Sequence, residues 1–123
     1  MGIARLAWVL VAIALGGCRS SSRLSPQDRV RERDELHHRL DVATEQDELH
    51  DTCGELIYVG DSSSVPHLIQ ALKLFPDAEL GPNEGAVCTW FHCVGALRKI
   101  TGATNVGMSY SSWKQWYESS QRR

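Results

Sequence analysis

Apolar residues recur at three- and four-residue spacing along most of this 123-residue chain, the period of helices that bury one face. Thr44-Glu45-Gln46-Asp47 reads as a cap-like helix start, and Leu49, Cys53, Leu56 and Ile57 then share one side of a helix that Gly60 ends. Asp61 to Ser64 predicts a tight turn. Val65 to Phe75 predicts a second helix, with Pro66 tolerated in its first turn and Val65, Leu68, Ile69, Leu72 and Phe75 facing inward. Two helices joined so briefly must lie antiparallel. Pro76 to Gly85 is a loop punctuated by proline and glycine. A third helix is expected over Ala86 to Thr101. Its apolar positions, Ala86, Val87, Trp90, Phe91, Cys93, Val94, Leu97 and Ile100, cover more than half its circumference and predict the central, most buried helix. Gly102 ends it, and a short last helix spans Tyr110 to Ser119 with Trp113, Trp116 and Tyr117. The expected fold class is all-α.

A different pattern precedes this set. Ser25 can cap a helix whose first position is Pro26, with Asp28 in the electropositive first turn. To about Val42 that helix mixes charges of both signs around a thin apolar stripe of Val30, Leu36 and Leu40. It reads as a solvated spacer that docks partly on the domain. A coiled-coil partner helix would need sustained heptads, which the stripe does not provide.

Charge narrows the function classes. Thirteen Lys and Arg against fifteen Asp and Glu give a net charge of −2, and no basic block supplies a nucleic-acid footprint. The chain's first residues change the picture more. Arg5 flanks an apolar run from Leu6 to Leu15, too short for the roughly 20 residues of a membrane span. Leu15-Gly16-Gly17-Cys18 follows, and a polar Arg19 to Ser22 stretch comes next. The segment Leu15 to Cys18 resembles the lipobox of bacterial lipoproteins. That resemblance implies export, cleavage before Cys18 and lipidation of its sulfur and new amino group. It also implies an address at a bacterial membrane, with Arg19 in place of an Asp pointing to the outer membrane and the periplasm. Several acyl chains hold a protein persistently where one binds only marginally. The implied organisation is a leader over 1–17, a lipidated tether over 18–25, a charged helix over 26–43 and a helical domain over 44–120.

Sliding the first helix pair forward by about 41 residues places Gly54 on Gly95, Leu56 on Leu97, Val59 on Ile100, Leu72 on Trp113 and Phe75 on Trp116. Between them, Glu55 to Leu72 carries an aliphatic helix, a Gly60-Asp61 turn and a second helix opened by Val65-Pro66. This segment resembles a HEAT repeat. Ala96 to Gly102 followed by Trp113 and Trp116 is similar to a closing unit of bacterial HEAT-repeat proteins, although this second unit lacks the Val-Pro opening and has a longer turn. The likeness covers about Gln46 to Glu118. It implies a short array of two stacked helix pairs that binds protein through a helical face.

Cys53, Cys88, His92 and Cys93 form the constellation with chemical potential. With the two units stacked in register, Cys53 lies level with Cys93, so a Cys53–Cys93 disulfide is the first choice and Cys53–Cys88 the second. Buried free thiols remain open. Cys88 and Cys93 point apart on one helix and do not pair. Cys88 and His92, four apart, share a face and with one other thiol could hold a metal, but the short Cys-x2-4-Cys spacing of zinc sites is absent, so no metal or cofactor is expected. His37, His38 and His50 stand in polar surroundings and read as solvated, with His67 exposed. Trp90, Trp113 and Trp116 read as core and cap, or alternatively as aromatic anchors for a partner. No nucleophile–base arrangement stands out. The expected function is a non-enzymatic, membrane-anchored interaction module for an envelope protein. The alternative is a metal- or thiol-dependent envelope sensor or accessory factor using Cys53, Cys88, His92 and Cys93.

Overall fold

The computed structural model describes residues 24–81 and 87–123, which form an all-α fold with no strand among them. The expected leader, Cys18 and most of the expected tether lie outside the described residues, as do Pro82 to Ala86 of the long loop. No helix among the described residues is long and apolar enough to cross a membrane.

Helix α1 spans Pro26–Val42, and Ser25 caps it by accepting a hydrogen bond from the Asp28 N–H at 3.1 Å. A 3-10 turn over Gln46–Leu49 leads into α2, His50–Val59. Its start is fixed by Glu45 rather than Thr44: the Glu48 carboxylate reaches back to the Thr44 and Glu45 N–H groups in a capping box. Asp61 caps a 3-10 turn over Ser62–Ser64, and α3, Val65–Ala71, follows at once with Pro66 in its first turn. A further 3-10 turn, Leu72–Leu74, completes the segment expected as one helix. Helix α4 covers Cys88–Thr101 and ends on Gly102, whose φ of 71° is the left-handed conformation a glycine adopts without steric cost. Helix α5 runs Tyr110–Gln121, capped by Ser109.

Packing centres on α2 and α4, and α3 lies against α4. Helix α2 lies along α4, α1 rests against both α2 and α3, and α5 closes on α3. The contacts between α2 and α4 keep a nearly constant offset. Cys53 meets Cys93, 40 residues on, and His50 meets Cys88, 38 residues on. A Cβ added to Gly60 would touch Ile100, again 40 residues on (100 − 60). Residue numbers rise together on both helices, so α2 and α4 run parallel. Leu49, Leu56, Leu68, Leu72, Leu97 and Trp113 are wholly buried between these layers.

Several expectations change. The charged helix α1 is a structural layer and not only a spacer, because Leu36, His37 and Leu40 are buried in it while Val30 faces water. Helix α4 starts at Cys88, so Val87 becomes its exposed cap residue. Phe91 is 51% exposed, because the buried arc of α4 runs through Thr89, Trp90, Cys93, Val94, Ala96 and Leu97 and leaves position 91 outside it. Helix α4 still carries the most buried residues of the described helices and packs on both α2 and α3, so it is the central helix expected, with a narrower buried arc than its apolar pattern suggested.

Candidate functional site

Three potential metal ligands converge where α2 and α4 begin. His50 is the first residue of α2, and Cys88 and His92 stand one turn apart on α4. One donor atom from each lies within 4.8 Å of the others. His50 Nε2 is 3.5 Å from Cys88 Sγ, and the His50 and His92 rings lie 4.5 Å apart between centroids. The other nitrogen of His50, Nδ1, pairs with the Asp51 carboxylate at 3.0 Å. A carboxylate in that place favours the proton on Nδ1 and leaves the Nε2 lone pair toward Cys88. His92 Nδ1 is buried and has no hydrogen-bond partner. Gly54 makes room for it, since a Cβ at position 54 would stand 3.2 Å from that nitrogen. The site opens onto a shallow groove of about 320 Å³ bordered by Asp51, Glu55 and Tyr58.

The disulfide sits directly beneath. Cys53 and Cys93 are joined with their Cα atoms 4.9 Å apart, which is the first of the pairings weighed from sequence. Cys53 is three residues beyond His50, and Cys93 follows His92, so the bridge clamps the two helices that carry the ligands. Cys88 is then the free thiol, and it is exposed. A ligand set drawn from Cys88, His92 and a second thiol is corrected accordingly: both other thiols are consumed in the bridge, and the third potential donor beside Cys88 and His92 is His50. Sequence reasoning set His50 aside as solvated because its chain neighbours are polar, and its side chain is indeed half-exposed. The signal that could have found it was the repeat offset, which sets position 50 level with 88–92 once Cys53 is set level with Cys93.

Other polar groups hold the fold. Local desolvation opposes the charge on the largely exposed Glu79, but hydrogen bonds from the Met108 and Ser109 N–H groups and from the Ser109 and Ser112 side chains outweigh it, and its pKa falls from 4.5 to about 2. Asp77 accepts from the N–H and hydroxyl of Ser111, which lowers its pKa as well. Together these carboxylates fasten the long loop to the electropositive start of α5. His37 is buried, 2.7 Å from Ser64 Oγ and stacked on His67 at 4.3 Å, and His67 in turn pairs with Asp41 at 2.7 Å. Neither histidine is free in solvent as the sequence suggested. Burial first, then the neighbouring His67 and Arg33, lowers the pKa of His37.

The tryptophans divide. Trp90 and Trp113 are core residues whose ring N–H groups donate to the carbonyls of Met108 and Gly107, both at 2.8 Å, which removes them as anchors for a partner. Trp116 is half-buried and lines a cleft of about 440 Å³ with Tyr117, Val65, Pro66 and Ile100. In comparisons with known proteins, no protein-family model, curated protein or solved structure matches this chain.

Proposed function

We propose that this chain is a lipid-anchored envelope protein whose helical domain is a non-catalytic module for binding another envelope protein. The observation that carries this reading is the Leu15 to Cys18 lipobox-like segment upstream of a domain whose core holds a disulfide. A buried Cys53–Cys93 bridge suits an oxidising compartment outside the cytosol, where a cleaved and acylated Cys18 would hold the chain at the membrane. The parallel stacking of α2 on α4 at an offset of 38–40 residues supports a short HEAT-like array, in which one helix pair completes its burial against the next. The cleft beside Trp116 and Tyr117, which pack against the core with part of each ring still accessible, gives such a module an aromatic docking position.

Metabolic labelling with a fatty acid, followed by membrane sedimentation, tests the anchor. Labelling and pelleting are expected for the natural chain and lost in Cys18→Ser. Unchanged membrane association in that variant refutes the reading. For the module, one envelope protein should co-purify with the natural chain and be released by Trp116→Ala under conditions where circular dichroism shows that the variant is still folded.

A further inference from the structure

We propose that His50, Cys88 and His92 bind a zinc-type transition-metal ion across the starts of α2 and α4. The juxtaposition itself is informative, because three residues from two helices bring one thiol and two imidazoles within 4.8 Å. That mixture of nitrogen and sulfur donors, with no oxygen ligand among them, suits a borderline ion such as Zn2+ over a hard ion such as Mg2+ or Ca2+.

Three features beyond the clustering point to a ligand. The first is the Asp51 carboxylate on His50 Nδ1, the outer partner that orients a metal-binding imidazole and fixes its tautomer. The second is His92 Nδ1, a buried polar atom with no hydrogen-bond partner, which shows that the ring is not held in place by hydrogen bonding through that nitrogen. The third is the Cys53–Cys93 bridge, which fixes the spacing of α2 and α4 three residues beyond His50 and one beyond His92. Much of the ordering needed for binding is already imposed by the covalent link.

The geometry is within reach of the ion. Zinc bonds of about 2.0–2.3 Å set tetrahedral ligand atoms about 3.5 Å apart, so the widest pair here closes by about 1 Å on binding. The half-exposed His50 side chain can supply that movement by rotation. On binding, the Cys88 thiol gives its proton to solvent and coordinates as the thiolate. Three protein ligands leave the fourth tetrahedral position to water or an outside group. Asp51 and Glu55 at the rim add negative charge that favours a cation's approach.

The test uses the full-length chain, purified in detergent, stripped with a chelator and kept with its disulfide intact. Titration with Co2+ should give one ion per chain, a thiolate-to-cobalt charge-transfer band and the visible bands of tetrahedral cobalt, all displaced by Zn2+. Cys88→Ser should lose the charge-transfer band. His50→Gln and His92→Gln should each weaken binding at least tenfold, and Asp51→Asn by about tenfold, the low end for an outer-partner loss. In the unmutated chain, Zn2+ should slow alkylation of Cys88, a readout that needs no variant to fold. Equal alkylation rates with and without zinc overturn the proposal, as does stoichiometric binding that survives Cys88→Ser and His92→Gln at unchanged affinity.

Discussion

Cys53 and Cys93 tie two parallel helices together across 40 residues of chain, and both half-cystines are wholly buried. A bridge of that span restricts the unfolded chain strongly, because it closes a loop containing α3 and the long loop. The loop-entropy relation gives about 4 kcal/mol for a loop of this size. For a domain this small, that is a large part of the total stability. Reduction, or Cys53→Ala with Cys93→Ala, should therefore lower the unfolding free energy by that order and move the denaturant midpoint down with it. Cys88→Ser should leave it unchanged. Equal midpoints for the oxidised and reduced chains would exclude the bridge.

Leu97 and Phe91 separate the buried and exposed sides of α4. Leu97 is fully buried, so Leu97→Ala should cost about 2–5 kcal/mol through lost burial and the cavity left behind. Phe91 is half-exposed, and Phe91→Ala should stay within about 0.5 kcal/mol. Urea unfolding of the two variants checks both. Similar losses in each would mean that α4 is rotated from the orientation described.

The inward residues of α2 and α3 were legible in the sequence because a helix that buries one face must repeat its apolar residues every three or four positions. Val65, Leu68, Ile69, Leu72 and Phe75 all lie in the core for that reason. Phe91 was misread because an apolar residue beside the stripe counts in a pattern whether or not it finds a neighbour. The helix ends were legible where capping is local, at Ser25 and Gly102. What the sequence hid is non-local. Glu79 meets Ser109 across 30 residues, His37 meets Ser64 across 27, and His50 meets Cys88 across 38. No short-range spacing encodes such meetings. Only the register between helices does, and the 41-residue repeat was its faint trace.

Two glycines should respond in opposite directions to the same change. A Cβ at Gly60 would stand 2.5 Å from the Leu56 carbonyl oxygen and 2.7 Å from Ile100 Cδ1, closer than packed atoms tolerate. Gly60→Ala should cost about 1–3 kcal/mol as the α2–α4 contact gives way. Gly95 lies inside α4 with nothing within 4 Å of an added Cβ. Gly95→Ala should stabilise by about 0.5–1 kcal/mol, the helix-propensity difference. Thermal melts of the two variants should bracket the natural chain, and a destabilised Gly95→Ala would refute the open space at that position.

Glu79 fastens the long loop to α5 in its charged form. Its pKa is lowered from 4.5 to about 2, so the unfolded chain takes up the proton first as pH falls. The stabilisation is present above pH 4.5 and is lost as pH falls toward 2. The group is exposed, and solvent screens it, so Glu79→Gln should cost only about 0.5–1 kcal/mol at neutral pH. The variant should also lose stability less steeply than the natural chain across the acid window. Parallel acid-unfolding curves would show that Glu79 does not hold the α5 start.

His37 sets a second pH dependence, at higher pH. It sits beneath the 3-10 turn at Ser64, where burial, the stacked His67 ring and Arg33 all disfavour its charged form, while Asp34 and Asp61 oppose them more weakly. The folded pKa therefore lies below 6.5, and between those values the unfolded chain binds the proton while the folded chain does not. Stability is full above 6.5 and declines as pH falls toward the folded value. Melting the domain at about pH 7.5 and at about pH 5.5 should show the lower midpoint in acid. His37→Gln, which can still hydrogen-bond Ser64 but cannot be protonated, should narrow that difference. A midpoint that rises on acidification, or a His37→Gln difference as large as that of the natural chain, would mean that the α1–α3 contact does not depend on a neutral His37.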